Sequence, residues 1–205
     1  MASEDFRTYA FRITDKTFLH TILNTVYIFV VGDEATGKTC LIRAFTSTRM
    51  KDFTLPSFEY VYTYTHQTIA GPLELRIVEL RLEDLSLKEV RRVSLQLKKH
   101  VFLFVFSVDN SAGAYRLDRT WIACVKRAMG LGVPSALVCS KIDLRSHPLY
   151  SDKMHLLLDS EAVNGIRQSC GISSSFECSA VTGETVEQVF IGAAMIANKA
   201  HPMYN

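Results

Sequence analysis

The chain has 205 residues, of which 48% are hydrophobic and 21% are charged, and its formal net charge is +2. This length suits one globular domain with a sizeable core, and so small a net charge gives no electrostatic reason to expect a nucleic acid or a membrane as partner. The five cysteines show no C-x-x-C spacing, and several of them lie inside apolar runs, so we expect buried, reduced thiols in a cytoplasmic protein.

Neither end of the chain carries a recognisable targeting signal. The N-terminus contains Glu4 and Asp5 and lacks the apolar core of a signal peptide. Ala2 excludes myristoylation, and the last residue, Asn205, is not a prenylatable cysteine, so we expect no lipid anchor. Residues 1–25 are predicted to be an N-terminal extension, either packed on the domain or used to dock a partner protein.

An apolar run of strand length at residues 26–31 leads into the pattern G-x-x-x-x-G-K-T, which begins at Gly32 and ends at Thr39. A stretch that can start a helix follows from Cys40. In such a strand–loop–helix context the glycines let the backbone N–H groups point inward as an anion nest at the positive end of the helix. Lys38 would then reach the β- and γ-phosphates of a nucleotide, and the Thr39 hydroxyl would ligate Mg²⁺. The alternative is a glycine-containing turn that binds nothing.

Further along, predicted strands alternate with predicted helices. The strands are expected at residues 58–69, 73–80, 101–106, 135–139 and 175–177, and the helices at 114–129 and 185–199. Residues 82–99 are a candidate irregular helix, 146–164 a helical insert or loop, and 166–170 a further short element. A turn at Gly71-Pro72 would make the strands on either side of it an antiparallel hairpin. The pattern predicts one α/β domain over residues 26–200 with a doubly wound, mostly parallel sheet and a short tail at 201–205.

Two later stretches indicate which nucleotide the phosphate loop would hold. In Ser140-Lys141-Ile142-Asp143 the carboxylate can accept two hydrogen bonds from the N1–H and N2–H₂ edge of guanine, an edge that adenine does not present. The Lys141 stem can lie over the base plane. The backbone N–H groups of Ser179-Ala180 can meet the guanine O6. Each stretch alone is a weak signal, but the order of the three motifs, each after a predicted strand, is a strong combination.

With these motifs the chain resembles the small GTPases of the Ras superfamily, most closely the Rho branch, over about residues 26–200. Pro56-Ser57 resembles the Pro-Thr of switch I, Ser140-Lys141-Ile142-Asp143 the T/N-K-x-D motif, and Glu177-Cys178-Ser179-Ala180 the E-C-S-A motif. The resemblance implies a P-loop NTPase fold of the small-GTPase type, GTP or GDP as ligand, and Mg²⁺ held by Thr39 and Ser57. The residues expected to contact the nucleotide are Gly32, Glu34, Ala35, Thr36, Gly37, Lys38, Thr39, Cys40, Ser140, Lys141, Asp143, Ser179 and Ala180.

The chain departs from the family pattern where hydrolysis is carried out. The D-T-A-G-Q of switch II aligns with Glu79-Leu80-Arg81-Leu82-Glu83. Leu82 replaces the glycine that contacts the γ-phosphate, and Glu83 replaces the glutamine that orients the attacking water. Glu34 stands where hydrolytically active relatives have glycine, and Glu79 could still hold Mg²⁺ through a water. We therefore expect a nucleotide site that is largely kept and a hydrolytic site that is largely lost, with no catalytic residue assigned.

Three functions follow as hypotheses. The first is a GTP-binding signalling module with weak or absent hydrolysis, and the second is a pseudo-GTPase scaffold that holds nucleotide structurally or holds none. The third, an ATP-dependent P-loop enzyme, is disfavoured by Asp143 and by the Ser179-Ala180 stretch. Effectors or regulators are expected at the switch I region and at the N-terminal extension, and the strand-like residues 60–64 could pair with a second copy as a homodimer.

Overall fold

The computed structural model describes residues 25–46, 51–52, 61–69, 71–80, 91 and 99–200. Its strands form a single seven-stranded sheet in the order β2-β3-β4-β1-β5-β6-β7. The strands are β1 Thr25–Val31, β2 Lys51–Asp52, β3 Val61–Thr68, β4 Gly71–Glu79, β5 His100–Ser107, β6 Ser135–Ser140 and β7 Ser174–Glu177.

The central strands run parallel to one another. Strand β1 pairs in parallel with both β4 and β5, and β5, β6 and β7 continue the parallel arrangement. Strand β3 is antiparallel to β4, and the two-residue β2 is antiparallel to β3. Every residue of β5 is buried, as expected for a parallel strand that is covered on both faces.

Helices cover both faces of this sheet. The helices are α1 Lys38–Thr46, α2 Ser111–Arg116, α3 Ala123–Met129, α4 Ser160–Ser169 and α5 Val186–Ala200, with a π-helical segment at Asp118–Ile122 and 3₁₀ segments at Ile142–Ser146 and Pro148–Leu156. None of the helices in the described part of the chain combines the length and apolar character that crossing a bilayer requires.

Two apolar cores, one on each face, follow from the period-two alternation of the strands. On one face, Phe102 and Phe104 of β5 pack in a cluster with Trp121 and Ile166. On the other face, Leu103 and Val105 of the same strand pack in a cluster with residues of α1 and α5, which include Leu41, Ile42, Val189 and Phe190. The two clusters hold α1 and α5 on one side of the sheet and the π segment and α4 on the other.

The predicted mostly parallel α/β sheet with its antiparallel hairpin is confirmed. The turn of that hairpin lies earlier than predicted, because Gly71 already pairs with Thr68 and Pro72 with Gln67 in the β3–β4 ladder. Among the described residues β1 pairs with β4 from Glu74 onward, so Pro72 lies near the start of β4, where a missing N–H is tolerated. The short β2 was not predicted, since two residues carry no periodic pattern.

Two helical predictions also need correction. The helix predicted over residues 114–129 begins at Ser111 and contains the π-helical segment. Residues 166–170 are not a separate element, because residues 166–169 belong to α4, whose first turn is capped when Asp159 Oδ1 accepts a 2.8 Å hydrogen bond from Ala162 N–H. The irregular helix predicted at 82–99 lies outside the described residues apart from Arg91 and Lys99.

Candidate nucleotide-binding site

The loop between β1 and α1 is tightly curled at the carboxyl end of the sheet. Ala35 and Gly37 adopt positive φ angles of 59° and 86°, which turn the backbone back on itself before α1 begins. Gly32 passes so close to β5 that an added Cβ would lie 2.1 Å from the Val105 carbonyl oxygen. The first glycine of the motif is therefore required by close backbone approach. Glu34 and Ala35 are exposed at the loop, whereas Thr36 is buried.

Hydrogen bonds from the Lys38 and Thr36 side chains to the backbone hold the loop in this shape. The Lys38 ammonium donates to the carbonyl oxygens of Gly32 at 2.9 Å and of Asp33 at 2.7 Å. The Thr36 hydroxyl donates to the same Asp33 carbonyl at 2.9 Å. Lys38 is only 7% exposed, so its ammonium group is partly shielded from water. In such surroundings a positive charge attracts an anion more strongly than it would in water.

The Thr39 hydroxyl faces the carboxylate at the end of β4. It lies 2.8 Å from Glu79 Oε1 and 3.0 Å from Oε2. Glu79 is 5% exposed. A hydroxyl and a carboxylate are both oxygen donors of the kind that Mg²⁺ prefers, so the residues present fit the ion that the motif implies. The described residues contain no group of three or more His, Cys, Asp or Glu side chains that could hold a metal by itself.

Ser140 at the end of β6 connects the phosphate loop to the predicted base-reading motif. Its hydroxyl lies 2.5 Å from the Thr36 carbonyl oxygen and 3.0 Å from the Phe106 carbonyl oxygen. The side chain is 4% exposed, so these contacts are shielded from water. Lys141 follows with a positive φ of 61°, a conformation that turns the chain sharply into the 3₁₀ segment that carries Asp143.

Asp143 is held by the loop that follows β7. The Ser179 hydroxyl donates to Asp143 Oδ1 at 2.6 Å and accepts from the backbone N–H groups of Val181 at 3.2 Å and Thr182 at 3.1 Å. Ser179 is fully buried. The structure therefore brings Asp143 and the Ser179-Ala180 stretch together, as the two motifs predicted from the sequence require.

Lys141 forms an ion pair with Asp109 just beyond β5, with the ammonium 3.1 Å from Oδ2. Burial alone would raise the pKa of Asp109, but hydrogen bonds from Ser107 and Lys141 and the positive charge of Lys141 lower the pKa below its ordinary value. This contact fixes the side chain of Lys141 within the motif at residues 140–143. The sequence stretch Phe106-Ser107-Val108-Asp109 resembles the Rho branch, but it did not predict that Asp109 pairs with Lys141.

A second ion pair joins the 3₁₀ segment after β6 to the end of β7. Arg145 Nη2 lies 2.6 Å from Glu177 Oε2, and the Thr185 hydroxyl donates to the Glu177 carbonyl oxygen. The Cys178 N–H donates to the Cys139 carbonyl oxygen at 2.9 Å. Burial raises the pKa of the Cys178 thiol to about 12 and also raises that of Cys139. The predicted buried thiols are found at both positions.

Several of the predicted site residues fall in parts of the chain that the structure does not describe. Ser57, Leu82 and Glu83, together with the switch I stretch around Pro56, lie outside the described residues. The predictions for the N-terminal extension also fall outside them. Cys40 is described and its side chain is exposed on α1.

The chain is similar to proteins of known family. The sequence model of the Ras family matches residues 27–199. GTP-binding protein rho1 of Schizosaccharomyces pombe is 29% identical over 85% of this chain and 87% of its own length. GTP-binding protein rho2 of the same organism is 30% identical over 83% and 86%, and GTP-binding protein RHO1 of Candida albicans is 31% identical over 81% and 84%.

Proposed function

Because the chain belongs to the Ras family and has Rho-type relatives, we propose that it binds guanine nucleotides, GTP or GDP, in the site between the phosphate loop and Asp143. The observation that carries this proposal is the hydrogen bond from Ser140 to the Thr36 backbone. It joins the motif expected to read the base to the loop expected to hold the phosphates. A single ligand that spans a base and two or three phosphates explains why the two motifs are connected.

The residues would divide the work by charge and by hydrogen-bond geometry. The loop N–H groups and the Lys38 ammonium would bind the phosphates, and the Thr39 hydroxyl with Glu79 would hold Mg²⁺. When bound, the ion would neutralise charge on the β- and γ-phosphates. Asp143 would accept two hydrogen bonds from guanine, while its other partner, the Ser179 hydroxyl, keeps the carboxylate in one orientation. Adenine presents no matching donors, so the site would select against it.

The nucleotide proposal is tested by extracting bound nucleotide from the purified protein and by titrating it with a fluorescent GDP analogue. We expect guanine nucleotide in the extract. We expect the Asp143→Ala variant to bind the analogue on the order of ten- to a hundredfold more weakly. Asp152→Ala, which removes an exposed aspartate from the 3₁₀ segment Pro148–Leu156, is the matched control. Adenine nucleotide in the extract, or equal affinity in both variants, would contradict the proposal.

We further propose that the protein hydrolyses GTP slowly or not at all. Glu34 is exposed on the phosphate loop, at the position where the resembled family has glycine, and it would crowd the attacking water. If its carboxylate turned inward to about 4 Å from a γ-phosphate oxygen, the two charges would repel by roughly 4 kcal/mol at an effective dielectric of 20, and outward rotation would reduce that penalty. Leu82 and Glu83 support the same conclusion from the sequence. Single-turnover hydrolysis, with Asp143→Ala as the blank, tests this proposal, and a rate typical of the family would overturn it.

The second candidate function is a pseudo-GTPase scaffold, and two contacts favour it. The Lys38 ammonium is already bonded to loop carbonyls, and the Thr39 hydroxyl is already bonded to Glu79. Both groups are thus satisfied by the protein itself, so the fold would not depend on a ligand. If extraction yields no nucleotide and the GDP analogue does not bind, this candidate replaces the first.

Partner proteins are proposed from the family relationship alone. Effectors or regulators would bind the switch I region and residues 1–25. Their binding would serve signalling under the first candidate function and scaffolding under the second. A homodimer through residues 60–64 would need a free sheet edge, whereas Tyr62 and Thr63 pair with β2 as well as with β4, so a second copy would have to pair beyond β2. Size-exclusion chromatography with light scattering at several concentrations distinguishes a dimer from a monomer.

A further inference from the structure

We propose that Glu79 binds the magnesium ion directly, through its own carboxylate oxygen, rather than through a bridging water. This inference rests on the proposed nucleotide function and concerns a position where the resembled family carries aspartate. The starting observation is the pair of contacts between the Thr39 hydroxyl and the two Glu79 oxygens, at 2.8 and 3.0 Å.

These separations match the spacing between two neighbouring ligands of one magnesium ion. Mg²⁺ demands nearly octahedral coordination with oxygens at about 2.0–2.1 Å, which places adjacent ligand oxygens about 2.9 Å apart. The Thr39 hydroxyl is the ligand that the phosphate-loop motif supplies. An ion bound to that hydroxyl would therefore find a Glu79 oxygen at ligand distance with little movement of either side chain.

The backbone of Glu79 cannot retreat to make room for an intervening water. Glu79 pairs with Val30 at the end of the parallel β1–β4 ladder. The next residue, Leu80, is 1% exposed and donates its N–H to the Val30 carbonyl oxygen at 3.0 Å. Glutamate is one carbon–carbon bond, about 1.5 Å, longer than aspartate. With the backbone fixed on both sides of the carboxylate, that extra length moves the oxygens toward Thr39.

The electrostatics of Glu79 also favour a directly bound cation. The side chain is 5% exposed, and within the described part of the chain it forms no salt bridge. A buried carboxylate is costly unless a positive charge compensates it. Because the described residues offer no cluster of three or more metal-binding side chains, the remaining ligands would be phosphate oxygens, water and Ser57, which the family resemblance implies as a ligand. Metal binding is therefore expected to depend on bound nucleotide.

The number of water molecules on the ion distinguishes direct from water-mediated binding. The GDP-loaded protein is titrated with Mn²⁺, a paramagnetic substitute with similar preference for carboxylate oxygens. Its electron paramagnetic resonance spectrum is then recorded in water enriched in ¹⁷O, whose nuclear spin broadens the lines for each directly bound water. We expect the wild-type protein to carry one bound water fewer than Glu79→Asp, because the shorter side chain leaves a ligand position that water fills.

The Mn²⁺ affinity of the same samples gives a second measurement. We expect Glu79→Asp and Glu79→Gln each to bind Mn²⁺ at least about tenfold more weakly than the wild type. Even the loss of a residue that contacts a metal only indirectly costs about 10- to 100-fold in affinity. Glu79→Gln keeps the length and removes the charge, so the inference remains testable if one variant does not fold. Glu161→Asp, the same change at an exposed position of α4, is the matched control.

The outcomes separate this inference from the proposed function. Equal water counts in wild type and Glu79→Asp, or tighter Mn²⁺ binding by the aspartate variant, would overturn direct ligation while leaving nucleotide binding intact. GDP affinity that is unchanged by removing divalent metal would also overturn it, because the Thr39–Glu79 contact would then exclude the ion. Failure of every variant to bind GDP, with or without metal, would instead remove the proposed function.

Discussion

The indole N–H of Trp121 donates a 2.8 Å hydrogen bond to Asp33 Oδ1, which joins two residues that are 88 positions apart in the sequence. Trp121 lies in the π-helical segment and is 1% exposed. Asp33 lies in the phosphate loop, where its carbonyl oxygen also accepts from Lys38 and Thr36. The contact therefore fixes the phosphate loop to the π-helical segment Asp118–Ile122. π-Helical turns are frequent at functional sites.

We expect Trp121→Phe to speed GDP dissociation by about tenfold, because a half-buried carboxylate loses its N–H donor and the loop loses a fixed contact. The measurement is release of a fluorescent GDP analogue in excess unlabelled GDP. Asp33→Ala removes the other partner. If the contact causes the effect, the double variant dissociates no faster than the worse single variant, whereas additive effects would show that the two residues act separately.

The same pair supplies a label-free assay. Trp121 is the only tryptophan of the chain, so all indole fluorescence reports on this one contact. We expect the emission to change when nucleotide is stripped and the loop relaxes. An identical spectrum in the stripped and loaded protein would indicate that the loop keeps its position without ligand.

The glycines at positions 32 and 165 are expected to respond oppositely to alanine. An added Cβ at Gly32 would lie 2.1 Å from the Val105 carbonyl oxygen, whereas Gly165 in α4 has nothing within 4 Å. We expect Gly32→Ala to lower the free energy of unfolding by about 3 kcal/mol or more, since the clash is with backbone. Gly165→Ala is expected to raise it by about 0.5–1 kcal/mol, because alanine is the better helix former. Urea unfolding measures both, and equal effects would refute the contrast.

Ser140 is expected to matter for stability and for nucleotide retention together. Its buried hydroxyl contacts the Thr36 and Phe106 carbonyl oxygens, so Ser140→Ala is expected to lower the free energy of unfolding by about 1–3 kcal/mol. Ser140→Ala is also expected to speed GDP release, since the phosphate loop loses its hydrogen bond to the end of β6. The control, Ser151→Ala, removes an exposed hydroxyl bonded to the Pro148 carbonyl oxygen and is expected to change stability by less than about 0.5 kcal/mol. Similar losses in the two variants would contradict this role.

Stability is expected to fall in alkaline solution because of Cys178. Burial raises the pKa of this thiol from its ordinary value of 9.0 to about 12. Below the pKa that the thiol has in the unfolded chain, it is protonated in both the folded and the unfolded state. The contribution of the protonated thiol to the free energy of unfolding is then fully present. Between about pH 9 and 12 the unfolded thiol ionises first, so the free energy of unfolding falls by up to about 1.4 kcal/mol per pH unit. Urea unfolding from pH 8 to 10 measures the slope in wild type, in Cys178→Ala and in a Cys124→Ala control. An unchanged slope in Cys178→Ala would contradict the assignment.

The sequence by itself determined the fold class, the phosphate loop and the family. Those features are local: strand and helix periodicities, turn residues and the G-x-x-x-x-G-K-T pattern are carried by neighbouring residues, so they can be read without knowing the tertiary contacts. Strand β5 and the final helix were both predicted in this way; every residue of β5 is buried, and α5 buries one face that includes Val189 and Phe190.

Only the tertiary structure decided which distant side chains meet. The contacts of Trp121 with Asp33 and of Thr39 with Glu79, and the Arg145–Glu177 ion pair, link different elements. Their distances depend on strand register and on a π-helical turn, and a shift of one residue in a strand would send every side chain to the other face. No local pattern encodes such a register, so the partners of the motif residues became visible only once the sheet had assembled.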